Sequence, residues 1–327
     1  MKNVSRIYPL LILIAGLIIM SSCTEDTIVE DNLKQEQRYF NIYIGANYPG
    51  VAPEASGLYY IENKAGTGSM AGDSSWVLVN HVSYVIPSDQ VYETYIERVA
   101  IDNRIDDEDA LYGPFKMKNG TMNEGFTEGL KKMNEGGEAT FLFTSELGYG
   151  SKNTGDLPAY SSLKYEVVLL EVLGDDIDVY NETMIASYLD TVAVYDTVYD
   201  VETDAAIYYI IDQATDGPFV GLDSTIEVTY KGYLMDGRIF DETEEDSSFI
   251  FKSSTTEWEA RWDLVLPRLR EGEKARMIFP YQLAYGDYGK YTSMGNVAIP
   301  PYETLLFNIE ILSVEAGDND DLHEEEE

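Results

Sequence analysis

The chain has 327 residues, enough for two ordinary domains with a core in each. Its 59 acidic and 22 basic residues leave a formal charge of −37, so nucleic-acid phosphates would be repelled rather than neutralised. A single cysteine excludes an intrachain disulfide, and two histidines, one of them in the acidic tail, give no Cys/His metal set and no Ser-His-acid set.

At the N-terminus, Lys2 and Arg6 precede an apolar run from Leu10 to Met20. The run is too short for a comfortable span, which takes about 20 residues. Ser21-Ser22-Cys23 follows. This arrangement resembles a bacterial lipobox, in which the cysteine is acylated and becomes the first residue, although Met20 stands where Leu is usual. The expectation is a signal peptide over 1–22 and a membrane tether at Cys23. The alternative is a cleaved secretion signal with an incidental cysteine. Residues 24–31 are polar and acidic. Such a start resembles surface-exported lipoproteins of Bacteroidetes. Leu33, Phe40 and Ile44 then hint at a helix, so 23–55 reads as an acidic stalk and an N-terminal helix.

Further along, Trp76–Val85, Ala139–Thr144 and Leu163–Val172 read as strands, with a helix over Glu124–Met133. The connection Tyr95–Tyr112 is long, acidic and polar. Its stretch Asp102–Asp109 has the charge to attract calcium but lacks the ligand-and-glycine spacing, so it reads as a solvated loop. A boundary falls near 174–176. Ile177, Tyr180, Met184 and Tyr188 recur on one helical face, and Asp190–Asp204 reads as an extended linker, giving a helix and linker over 175–204. Ile226–Tyr230 and Arg276–Phe279 alternate at period two, and Leu305–Ile311 is a longer apolar run. Asp236-Gly237 is a turn between strands. Arg261–Leu266 reads as a short helix stopped by Pro267. Asp287–Val297 is a Gly- and Tyr-rich insertion. The acidic end, 316–327, cannot offset its ordering entropy by burial and is expected to be disordered. The fold class is α+β, with two domains at 56–174 and 205–315, each a bent antiparallel sheet wrapped around a short helix.

The two domains repeat. Leu58–Ile61 matches Ile207–Ile210, Val79 and His81 match Val228 and Tyr230, and Tyr92 matches Phe240. Phe126 and Tyr149 match Trp262 and Tyr285, while Pro158 and Tyr165 match Pro300 and Phe307. The offset is nearly constant within blocks and jumps between them, which marks a duplicated fold with loop insertions.

In the second copy, Val228-Thr-Tyr-Lys-Gly232 leads to Asp236-Gly-Arg-Ile-Phe-Asp241, then Trp262, Leu283-Ala-Tyr-Gly286, and Ile299-Pro-Pro301 with Leu305-Leu-Phe307. Aromatic residues surround one carboxylate, with no nucleophile and no metal ligands. That set suits a reaction that makes and breaks no bonds, such as rotation about a peptide bond. The order and spacing resemble the FKBP family of peptidyl-prolyl cis-trans isomerases, well over about 205–314 and in a worn form over about 56–173. The resemblance implies that Trp262 is the floor beneath a prolyl ring and that Tyr230, Phe240, Phe249 and Phe307 are its walls. It implies that Tyr285 donates its hydroxyl to a substrate carbonyl, that Asp241 lies near Tyr230, and that Ile299 sits at the rim. Trp258 and Glu259 stand where two aliphatic residues usually line the pocket, and Arg261 where Gly usually precedes the tryptophan. No cofactor or metal is implied.

The first copy departs further. His81 replaces the strand tyrosine, Tyr92-Glu93 replaces Phe-Asp, Phe126 replaces the tryptophan, and Leu157-Pro158-Ala159 replaces Ile-Pro-Pro. Phe115, Tyr149 and Tyr165 keep aromatic character. The sequence therefore leads to an anchored tandem isomerase of the bacterial cell envelope, on the periplasmic or surface face of the outer membrane. The second domain would act on proline-containing exported polypeptides, in a monomer tethered to lipid by acylated Cys23. The rival reading is a non-catalytic interaction or chaperone module on the same fold.

Overall fold

The computed structural model describes residues 8–155, 157–253 and 260–317, with side chains from residue 28 onward. The chain divides into two compact units. One runs up to Arg104 and takes in Gly113–Val172; the other is Ile105–Tyr112 with the chain from Leu173 on.

The first unit opens with helix α1 (Tyr8–Asn47), which includes the acidic stretch expected to be a stalk. Strands β1 (Tyr59–Lys64), β2 (Trp76–Ile86) and β3 (Gln90–Thr94) follow, then α2 (Glu97–Asn103), β4 (Phe115–Lys118), α3 (Glu124–Leu130), β5 (Gly137–Phe143) and β6 (Ser162–Gly174). The sheet order is β1-β5-β6-β2-β3, with β4 also on β2. Helix α3 starts at Asn123, whose side chain accepts from the Phe126 N–H and so satisfies a backbone donor of the first turn. Its Phe126 and Leu130 are buried beneath the sheet with Phe141, Phe143 and Tyr165. Gly125 and Gly129 let the helix lie directly on the Phe143 and Phe141 rings, where a Cβ would come within 2.5 and 2.6 Å.

Helix α1 is held to this unit by Phe40, Tyr43 and Ile44, which pack on Ile86 and Leu142. Its buried Glu36 accepts from the Ser145 N–H at 2.6 Å and from the Ser145 and Ser162 hydroxyls at 2.6 and 2.7 Å. A buried carboxylate is tolerated because these donors replace water.

The second unit contains α4 (Ile177–Leu189), β7 (Asp196–Tyr199), β8 (Ala206–Gln213), β9 (Thr225–Leu234), β10 (Ile239–Glu242) and β11 (Phe249–Lys252). After two 3-10 turns come β12 (Lys274–Phe279), β13 (Lys290–Tyr291), β14 (Val297–Ile299) and β15 (Leu305–Glu315). The order β10-β9-β15-β12-β8-β7, with β11 on β9, repeats the first unit's order with one strand added at the edge. The duplicated α+β architecture read from the sequence is therefore present in both units.

Three expectations need correction. Part of the supposed linker is β7, which pairs antiparallel with β8 from Asp196↔Tyr209 to Tyr199↔Ala206; the Thr-Val-Tyr composition suits a strand and the edge of β8 was open to it. The helix expected at Arg261–Leu266 is two 3-10 turns, Trp262–Leu264 and Leu266–Arg268. Pro267 does not stop them but sits at the start of the second, where a missing N–H costs nothing. The stretch Asp102–Asp109 is not wholly solvated, since Asp107 is buried.

Candidate functional site

Tyr230 and Gly232 lie on β9, with Ile309 and Phe307 of β15 opposite them. On the other side, β10 pairs Ile239 with Tyr233 and Asp241 with Gly232, leaving Phe240 as an extra residue. Consecutive side chains of a regular strand point to opposite faces. The bulge at Phe240 re-aims them. As a result Phe240 and Asp241 line one cavity of about 390 Å³, together with Tyr285, Ala298 and Ile299.

The Tyr230 hydroxyl donates to Asp241 Oδ2 at 2.9 Å. Burial, followed by this bond, pushes the Tyr230 hydroxyl well above its usual range, so it stays protonated. Trp262 is 1% exposed. Tyr230 meets it edge-on with ring centroids 5.5 Å apart, and Phe307 does so at 5.0 Å. Phe240 stands edge-on to Phe307 at 5.5 Å, and Phe249 to Tyr230 at 6.2 Å. Edge-to-face contacts of this kind are a favoured geometry between aromatic rings and hold the cluster together. The structure thus brings together Tyr230, Phe240, Asp241, Phe249, Trp262, Tyr285, Ile299 and Phe307. Trp258 and Glu259 lie outside the described residues.

Sequence reading missed Phe251, whose ring lies 5.9 Å from Trp262, although its alternation with Phe249 on β11 was a signal. It also gave no role to Gly232. A Cβ there would stand 2.6 Å from Phe240 Cζ, so the ring occupies the room that the glycine leaves open. Arg261, unusual before the tryptophan, has a local explanation. Its Nη1 donates to the buried Asp200 at 2.6 Å, and its Nε donates to Asp263 at 3.0 Å. It ties the β7–β8 turn to the backbone that carries Trp262.

In the first unit His81, Phe115, Phe126, Leu157 and Tyr165 are all buried, and Tyr92, Glu93 and Tyr149 are partly so. The bulge is kept: Tyr84 pairs with Val91 and Ser83 with Glu93, leaving Tyr92 as the extra residue. The polar pair is not kept. Neither ring nitrogen of His81 has a hydrogen bond among the described residues, and Nε2 lies 3.5 Å from Glu93. Tyr95 packs its ring 4.3 Å from His81 and 4.5 Å from Phe115. Ser83 stands where the second copy has Gly232.

The model of the FKBP-type peptidyl-prolyl cis-trans isomerase family matches residues 86–170 and 219–312. The chain belongs to this family. A macrophage infectivity potentiator of Trypanosoma cruzi is 37% identical over 99 residues, 29% of this chain and 46% of the relative. The FKBP-type isomerase FkpA of Escherichia coli K12 is 29% identical over 127 residues, 39% of this chain and 42% of that one. FK506-binding protein 2 of Yarrowia lipolytica is 38% identical over 100 residues, covering 30% and 66%. The alignments thus span less than half the length of the first two relatives. The crystal structure of FkpA from Escherichia coli matches with a TM-score of 0.38 and 22% identity, over 54% of this chain and 76% of that chain.

Proposed function

We propose that the second FKBP-type unit is a peptidyl-prolyl cis-trans isomerase. The observation that supports this most directly is the Tyr230–Asp241 pair, in which Tyr230 packs edge-on against the buried Trp262 and Asp241 lines a cavity with Phe240 and Tyr285. Rotation of a planar imide must break C–N resonance, against a barrier of about 18–20 kcal/mol. The twisted transition state carries less charge separation than the planar ground state. An apolar wall formed by Phe240 and backed by the buried rings of Phe307 and Trp262 therefore favours the twisted form. Only such differential binding speeds a step. A lowering of about 5 kcal/mol corresponds to several thousandfold. Asp241 holds the Tyr230 hydroxyl in one direction, and Tyr285 offers a donor to a substrate carbonyl. The test is isomerisation of a short proline peptide by the full chain. Trp262→Ala abolishes the catalysed rate; a rate that survives in it excludes this site.

The same reading places the chain in the bacterial envelope, acting on exported polypeptides as a monomer held by acylated Cys23. Its support is the position of Cys23 after an apolar run and its being the only cysteine. Among the described residues no helix is long and apolar enough to cross a membrane. Several acyl chains on one cysteine give stable attachment where one chain gives marginal binding. Cys23→Ser is expected to move the protein to the soluble fraction; retention on membranes after a salt wash refutes the tether.

For the first unit a second reading is favoured. Tyr95 against His81, and the lost hydroxyl–carboxylate pair, support a binding or packing role rather than catalysis.

A further inference from the structure

The second unit includes Ile105–Tyr112, a segment that precedes most of it in the chain by more than sixty residues. Within that unit the segment is built onto the insertion that carries β13 and β14. Asp107 Oδ2 accepts from the Thr292 hydroxyl at 2.6 Å and from Asn296 Nδ2 at 3.0 Å. The Leu111 N–H donates to the Val297 carbonyl at 2.7 Å, and Leu111 packs against the unit's core. Arg238, two residues before Phe240, donates from Nη1 to the Tyr112 carbonyl at 3.1 Å. These contacts place Asp109 on the wall of the cavity that holds Phe240, Asp241 and Tyr285. Its N–H is turned in to Asp107 Oδ1 at 3.1 Å, and the residue itself is exposed.

The charges at this wall are unequal in availability. Asp241 is engaged by Tyr230. Lys290, the cation of the wall, has its Nζ 5.7 Å from the centroid of the Tyr285 ring, within reach of a cation–π contact. Asp109 is the other carboxylate of this wall, and it is exposed.

We propose that Asp109 is a specificity-determining residue of the second site and that it favours prolyl peptides with Lys or Arg near the proline. The proposal rests on the isomerase reading above. Attraction between exposed charges is modest and screened by salt, so the preference is a matter of a few fold. Segment 105–112 acts by holding the carboxylate in place, since a freely moving side chain would lose much of the effect to entropy.

The test uses the full chain and peptides alike save for one Lys, Gln or Glu within two residues of the proline. Both kcat/KM and peptide affinity are measured. The Gln peptide with the wild-type chain tests the isomerase reading alone, whereas the Lys-to-Glu ratio tests Asp109, in rate or in affinity. The ratio is expected to exceed one, to fall about threefold in Asp109→Asn, to invert in Asp109→Lys, and to shrink in high salt. Asp107→Ala, which removes the bonds to Thr292 and Asn296 and leaves Asp109 present, lowers the ratio in the same direction. A ratio that stays at the wild-type value in both Asp109 variants overturns the proposal, and one unmoved by Asp107→Ala overturns the holding role of the segment.

Discussion

Gly232→Ala is a change of one methyl group that the backbone tolerates and the site does not. The new Cβ would stand 2.6 Å from Phe240 Cζ, where ordinary van der Waals contact begins at 3.4 Å. The ring must give by most of an ångström. It is half-buried, so it moves rather than breaking the fold, and it moves away from the Phe307 ring it now meets at 5.5 Å. Misplacing a catalytic wall by about 1 Å costs up to a hundredfold. The expected loss in kcat/KM is therefore about ten- to a hundredfold, or about 1.4–2.7 kcal/mol of transition-state stabilisation. The assay is isomerisation of a proline peptide by the full chain, with thermal unfolding as a control that shifts little. In a Phe240→Ala background the same glycine change has no ring left to displace and adds almost nothing. Full activity in Gly232→Ala refutes the reasoning, and so does an undiminished loss in the double variant.

Activity is expected to be flat between about pH 6 and pH 8, because rotation needs no proton transfer and the Tyr230 hydroxyl, raised from 10.0, stays protonated throughout; a bell-shaped profile there argues for an acid and a base. The raised hydroxyl contributes stability that is complete below about pH 10 and lost as pH climbs above it. Asp107 behaves oppositely: the Thr292 hydroxyl and then Asn296 hold its carboxyl below 3.8, so its contribution is complete above about pH 4 and lost in acid, which an acid titration of unfolding should show. Phe240→Ala is expected to cost more rate than Asp241→Asn, since the ring excludes water while the carboxylate orients Tyr230; equal losses, read from kcat/KM, contradict that division. Arg261→Gly restores the residue usual at that place but strips the buried Asp200 of its guanidinium, so Tm should fall by a few degrees.

The strands could be read because half-buried sheets write their faces into alternation, as in Ile226-Glu-Val-Thr-Tyr230. Edge strand β7 was obscured because Thr, Val and Tyr interleaved with Asp suit a solvated linker as well as an outer strand. The 3-10 turns around Trp262 were misjudged because Pro267 ends an α-helix yet begins a tighter turn without loss. At the site, residue types and order identified the rings, but not the bulge that turns Phe240 and Asp241 to one cavity, since a bulge is a property of pairing between strands. Segment 105–112 was hidden by its own composition. Four carboxylates in a row of polar residues look like solvent-facing loop, and only tertiary contacts show that Asp107 is a buried acceptor and Leu111 part of a core.

The two copies show separately what holds the fold and what makes the pocket. Strand order and the bulge survive in both, because backbone pairing and a packed aromatic interior are satisfied by many side chains. The pocket depends on few. At the four positions around the bulge the second copy has Tyr230, Gly232, Asp241 and Thr243, and the first has His81, Ser83, Glu93 and Tyr95. The equivalence of the last pair is fixed by the backbone, since Tyr95 N–H donates to the His81 carbonyl as Thr243 N–H does to Tyr230. The His81 imidazole does not reproduce the hydroxyl–carboxylate bond, its Nε2 standing 3.5 Å from Glu93, and the Tyr95 ring packs against it at 4.3 Å. Returning tyrosine to position 81 alone would therefore overpack a fully buried site, at about 1–3 kcal/mol. Tyrosine at 81 with threonine at 95 removes one ring as it adds another, and glycine at 83 with aspartate at 93 then recreates the platform and the partner. The differences between the copies are thus one coupled set rather than independent losses, and the set must change together for the first pocket to open.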